Sequence, residues 1–97
     1  MSSPARSGQR RLTMLDSSTF KIAIALAASA VPGVNAVEKC IVRKMGFQYF
    51  VDMHVEVNPA MTVQEGHQIA HNVKNKVRDA VPAVYDVLVH IEPSAVK

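Results

Sequence analysis

Over Tyr49-Phe50-Val51-Asp52-Met53-His54-Val55-Glu56-Val57, imidazole and carboxylate side chains alternate with large apolar ones. These two polar types are common ligands of borderline divalent cations. In an extended strand successive side chains leave opposite faces, so Asp52, His54 and Glu56 share one side and the odd positions Tyr49, Val51, Met53, Val55 and Val57, all apolar, share the other. Same-side neighbours stand roughly 6.5–7 Å apart, too far for three of them to close on one ion, and a second element must bring further donors alongside. Val87-Leu88-Val89-His90-Ile91-Glu92-Pro93 repeats the pattern, with His90 and Glu92 on one side and Val87, Val89 and Ile91 on the other. On adjacent strands, at a cross-strand spacing of roughly 5 Å, His54 and His90 reach a single ion. Glu92 or Asp52 completes the shell. That donor set suits Zn²⁺ first, and admits Co²⁺, Ni²⁺, Cu²⁺ or Fe²⁺ with little discrimination. The competing reading is a solvated polar sheet face, and the spacing alone leaves both open.

A further pair, His67 and His71, is four residues apart in a helical stretch and shares a helix face, so it could chelate one ion. Two solvated helix histidines are the alternative. An intramolecular site joining His67 to His54 would have to pass around the sheet edge; a contact across a dimer seam is easier. Cys40 reads as a small core hydrophobe, and Met45, Met53 and Met61 as packing. No nucleophile elbow, Gly-rich phosphate loop or Cys-x-x-Cys is present, so nothing supports an enzyme.

The elements that must hold these residues follow from punctuation and period. Residues 1–16 are rich in Ser, Arg and Gly and read as a flexible lead-in or linker. Asp16, Ser17 or Ser18 can cap a first helix from about Ser18 to Ala30, whose apolar stripe is Phe20, Ile24 and Ala27 or Ala28, with Val31 beyond, and which Pro32-Gly33 ends. Val34 to Lys44 is a strand with an irregularity near Glu38-Lys39, where alternation breaks. Met45-Gly46-Phe47-Gln48 turns it into the central strand as an antiparallel hairpin, and Pro59 stops that strand. Thr62-Val63-Gln64-Glu65 is a capping box that starts a second helix. Its stripe runs through Gly66, Ala70, Val73, Val77 and Ala80 or Val81 to the stop at Val81-Pro82. Ala83 to Pro93 is the last strand, parallel to the central one across the helical crossover. The fold class is therefore α+β: an α-β-β-α-β two-layer sandwich, with both helices on one face of a three-stranded mixed sheet. The other face is bare and carries Asp52, His54, Glu56, His90 and Glu92 with Phe50 and Leu88. A half-apolar open face on so small a domain calls for a partner, most simply a second copy.

A chain of 97 residues makes one domain, residues 17–97, with little stability to spare. The longest apolar run, Ile22 to Val31 with Ser29 inside it, is far short of the ~20 residues of a membrane span, and Met1 to Arg11 is polar and basic, so neither membrane insertion nor a secretory signal is expected. One cysteine excludes an internal disulfide and suits a reducing compartment. A net charge of +3, carried largely by Arg6, Arg10 and Arg11, with acidic strand residues and 5% aromatics, argues against a nucleic-acid partner.

Several stretches in order resemble the C-terminal cytoplasmic domain of the cation diffusion facilitator (cation efflux) family of metal transporters. They are Met14-Leu15-Asp16, Val31-Pro32-Gly33-Val34, Arg43-Lys44-Met45-Gly46, Phe50 to Val57, Glu65-Gly66-His67-Gln68-Ile69-Ala70 and Val89-His90-Ile91-Glu92-Pro93. The resemblance implies a metallochaperone-like, ferredoxin-like fold and a homodimer that binds zinc or a related ion at or near the dimer interface. It also implies a closed form that regulates proton-coupled metal export by the transmembrane domain of a parent transporter, on the cytoplasmic side. The family's metal-binding histidines fall on His54, His67 and His90, with an acidic ligand at Glu92. His71 stands where the family commonly has Asp, and Ile41 where Arg is common. A stand-alone cytosolic metal buffer or sensor of the same fold, or a protein-interaction module with incidental histidines, are the alternatives.

Overall fold

The computed structural model describes residues 17–95 of the chain; the lead-in assigned to residues 1–16, with the cap Asp16 and the Met14-Leu15-Asp16 stretch, lies outside them. Five elements follow in the expected order: α1 (Ser17–Ser29), β1 (Ala36–Met45), β2 (Gln48–Val57), α2 (Val63–Ala80) and β3 (Val84–Pro93). The sheet order is β1-β2-β3, with β2 antiparallel to β1 and parallel to β3.

Strict alternation makes β2 the centre of the fold. Val51, Met53, Val55 and Val57 are buried against the helices, while Phe50, Asp52, His54 and Glu56 stay partly open on the other side. The helices meet them with Ile24, Ala27 and Ala28 from α1 and Gly66, Ile69, Val73 and Val77 from α2, and Val31 closes the corner. The stripe of α2 runs through Ile69, where the sequence reading drew it through Ala70, because the helix leans its leucine-sized side chain under the α1–β1 corner. There Gly33, at φ +95°, lies so close that a Cβ would stand 2.6 Å from Ile69 Cδ1.

Local chemistry fixes the element ends. Thr62 Oγ1 accepts from the Glu65 N–H at 3.0 Å while Glu65 Oε1 accepts from the Thr62 N–H at 2.9 Å, so two orphan donors of α2 are satisfied reciprocally. The β1–β2 hairpin turns on two residues, Gly46 and Phe47, with Gly46 at φ +65°, the left-handed conformation that a tight hairpin requires at its first central position.

Two irregularities decide which side chains share the open face. Between Val37 and Lys39 the β1 register shifts by the extra residue Glu38, so that Val37, Cys40 and Val42 all face the helices despite their uneven spacing. This is the break expected near Glu38-Lys39. A second bulge was not expected. Tyr85 is extra between Tyr49↔Val84 and Phe50↔Asp86, which lets Val84 and Val87 both be buried and leaves Leu88 and His90 outward.

Candidate metal centre

The parallel register of β2 and β3 sets His54 opposite His90 and Glu56 opposite Glu92. The two imidazoles stack, ring centroids 4.7 Å apart and planes at 27°. His54 Nδ1 is bonded to Glu92 Oε2 on the neighbouring strand. With Nδ1–H donating to that carboxylate, the lone pair of His54 Nε2 is left free to face outward, the arrangement in which a carboxylate fixes the tautomer and orientation of a metal-binding imidazole. His54 is the more sheltered partner, its side chain 29% exposed against 41% for Glu92. In the single chain the Glu92 carboxylate is thus engaged with the His54 ring.

The same corner gathers negative charge. Glu56 has its carboxyl pKa raised, first by a hydrogen bond with Glu38 from the β1 bulge, then by desolvation and by the charges of Glu38 and Glu92. A raised carboxyl means that the folded chain holds its proton more tightly than the unfolded chain does. The corner is thus favoured below the ordinary carboxylate range and loses that contribution as pH rises through the raised pKa. At neutral pH three carboxylates face one another, and a cation would relieve the repulsion. Glu56→Gln is accordingly expected to raise the melting temperature of the metal-free chain at pH 7, with the gain vanishing near pH 4; thermal melts across that interval check the sign.

Not every candidate joins this cluster. Asp52 sits opposite Leu88, and its two carboxylate oxygens each lie 3.3 Å from one guanidinium nitrogen of Arg43, its diagonal neighbour across the hairpin. It is engaged by a cation already present. His67 and His71 lie on the exposed side of α2, with Nε2 atoms 3.2 Å apart and rings at 83°. Cys40 packs against the core and burial pushes its thiol pKa up, partly offset by Lys21, which fits a packing role. Among the described residues no three His, Cys, Asp or Glu side chains converge tightly enough to enclose one ion. Two imidazoles with a supporting carboxylate and a ring of negative charge are nevertheless a donor set that fits a divalent cation. The remaining ligands must come from side-chain rotation, water or a second copy. Glu56 was read on this face from its alternation with His54, whereas Glu38 was noted only at the irregularity of β1; the register shift between Val37 and Lys39 is what brings it to Glu56.

Around the pair the open face is apolar. Leu88 is 56% exposed, Tyr85 53% and Ile41 49%, and Phe50 rests against Tyr85 with ring centroids 5.4 Å apart.

Comparison with known proteins agrees with this architecture. Residues 17–94 match the family described as cation efflux protein, cytoplasmic domain. A probable cation efflux system protein of Mycobacterium tuberculosis is 32% identical over 68 residues, which are 70% of this chain and 20% of that protein. The chain thus spans about a fifth of the length of that curated relative. Among solved structures, a MamM-CTD chain superposes with a TM-score of 0.79 at 28% identity, covering 81% of this chain and all of that one. A variant of the same domain in a nickel form gives 0.78 at 27% identity, covering 80% and 99%. Proteins of this kind are cation efflux transporters or domains of them rather than enzymes. With the mixed sheet, the paired helices and the match over residues 17–94, this chain belongs to the family of cation efflux protein cytoplasmic domains.

Proposed function

We propose that the chain is the metal-binding regulatory domain of a cation-efflux transporter, acting as a homodimer whose open sheet faces or their margins meet at the metal. The observation that carries this reading is the stacked His54–His90 pair with Glu92 bonded to the His54 ring, on a sheet face that neither α1 nor α2 covers. Bound there, a Zn²⁺ or related first-row ion supplies positive charge and directional bonds to imidazole that can join ligands from two chains. The residues do the rest. Glu92 holds the His54 tautomer, Glu38 and Glu56 supply the negative field, and Ile41, Phe50, Tyr85 and Leu88 supply apolar surface that a second copy can cover.

Regulation follows from differential affinity. An ion completed by donors from two chains binds the closed pair more tightly than the open one, and it shifts the population by that difference alone. Such a shift, transmitted to the membrane portion of a longer parent protein, would tie proton-coupled export to the cytoplasmic ion concentration. The nickel form of a relative's domain supports the idea that this fold carries first-row ions. Zn²⁺ is placed first because a mixed imidazole and carboxylate set is its usual company.

Calorimetric titration of the chain with Zn²⁺, run beside sedimentation velocity, tests this. The expected result is a saturable heat with a stoichiometry per chain that matches a shift toward, or a compaction of, the dimer. A chain that gives no saturable heat with any first-row divalent ion would overturn the reading and leave the protein-interaction module in its place.

A further inference from the structure

The β1–β2 hairpin closes on Gly46 and Phe47, and Phe47 is 97% exposed. Met45, at the end of β1, is 60% exposed. Turn geometry does not ask for an aromatic here: Gly46 takes the positive φ, and the second central position of such a loop is ordinarily polar, Asn, Asp or Ser. So exposed a ring adds almost nothing to the core, and its apolar surface is open to something outside the chain. Two exposed cations flank it. Lys44 is held by no carboxylate among the described residues, and Arg43 gives one guanidinium nitrogen to Asp52 while staying 57% exposed. We propose that this tip docks on a lipid surface, with Phe47 and Met45 entering the headgroup boundary of an anionic bilayer and Lys44 and Arg43 meeting its phosphates.

Charge is distributed to suit such a partner. Glu38, Glu56 and Glu92 gather where β2 ends, and Glu56 lies roughly 25 Å along the strand from Gln48 at about 3.3 Å per residue. That is more than twice the ~8–10 Å over which salt screens exposed charges. At the hairpin end α2 finishes with Arg78 and Asp79, which offset each other. Phe20 packs on Tyr49 with ring centroids 4.7 Å apart, so α1 begins at this same end, and residues 1–16 before it carry Arg6, Arg10 and Arg11. A second copy is a poorer occupant. Two side chains on a narrow turn bury far less than the ~800 Å² per partner of a stable protein pair, whereas a bilayer asks only for apolar side chains flanked by cations.

None of these residues belongs to the sheet-face pair, so the test runs with a chelator present and its result does not depend on metal binding. The chain is co-sedimented at low salt with phosphatidylcholine vesicles, with and without phosphatidylglycerol. Binding is expected only where phosphatidylglycerol is present. Phe47→Ser suits the turn and should weaken binding about tenfold, the worth of a partly buried Phe side chain. Lys44→Gln should weaken it about fivefold, the part of one surface cation. Because the chain contains no tryptophan, Phe47→Trp adds a single reporter whose emission should shift to the blue on the anionic vesicles alone. Circular dichroism confirms that the variants stay folded. Equal binding by the wild type and Phe47→Ser, the result if residues 1–16 alone hold the lipid, would overturn the proposal. So would a lack of binding to either vesicle, or self-association in lipid-free solution that Phe47→Ser removes, which would assign the tip to a second copy.

Discussion

Replacing His54 and His90 together by alanine is expected to abolish the stabilisation that Zn²⁺ gives through the sheet face while leaving the fold in place. With free ion at about a hundredfold its dissociation constant, binding to the folded chain alone contributes about 2.7 kcal/mol. For a domain of this size that corresponds to a rise in melting temperature on the order of 10–20 °C. The double variant should lose most of this rise. His54 and His90 are partly or wholly exposed and outside the core, so the metal-free melting temperature should stay near that of the wild type. The Glu92 carboxylate, bonded to His54 in the intact chain, is 41% exposed and returns to water without a buried-charge penalty. A wild-type-sized rise in the double variant would mean that the stacked pair is not where the ion sits.

The second large effect falls on the other side of the same strand. Met53 is fully buried at the middle of β2, one residue from His54 and facing the helices. Met53→Ala removes a side chain that both layers contact and leaves a cavity that a three-stranded sheet cannot readily collapse. The expected loss is about 2–5 kcal/mol, or on the order of 10–30 °C in melting temperature for a domain of this length. Whole domains carry only about 5–15 kcal/mol. The variant should therefore melt close to ambient temperature, and an added ion should recover part of the loss, because only the folded chain assembles the pair. Chemical denaturation with and without Zn²⁺ measures both quantities, and a loss under about 1 kcal/mol would show that Met53 is less central than its burial implies.

Much of this was legible before the fold. Alternation in β2 separated Met53 from His54, and the repeated His-x-Glu spacing in β3 identified the partner strand, because a period of two survives any twist of the sheet. The capping box at Thr62 and the turn at Gly46 were equally readable, since each is written in local chemistry. Long-range register was not. The bulge at Tyr85 falls in Ala83-Val84-Tyr85-Asp86, which contains no glycine or proline to announce it. The Arg43–Asp52 ion pair depends on a diagonal relation across the hairpin that only the fixed pairing of β1 with β2 creates. For the same reason the contact between Glu92 and the His54 ring was not foreseen: it depends on the register of β2 with β3. Ile69 was passed over because Ala70 satisfied the same stripe equally well on paper.

The Tyr85 bulge reaches further than its own turn of chain. A slip of β3 by one residue along β2 would turn Val87, Val89 and Ile91 out to water and bring His90 and Glu92 beneath α2, while a slip of two would keep the faces but set His54 against Leu88 or Glu92. The far end of the strand is latched against either error by the Ser94 N–H to the Val57 carbonyl at 2.8 Å and by Asn35 Nδ2 to Ser94 Oγ at 3.0 Å. On the proposed reading, ion affinity at the sheet face would be a quantised report on strand alignment: a molecule that had closed its core out of step would be compact and yet lack the paired imidazoles.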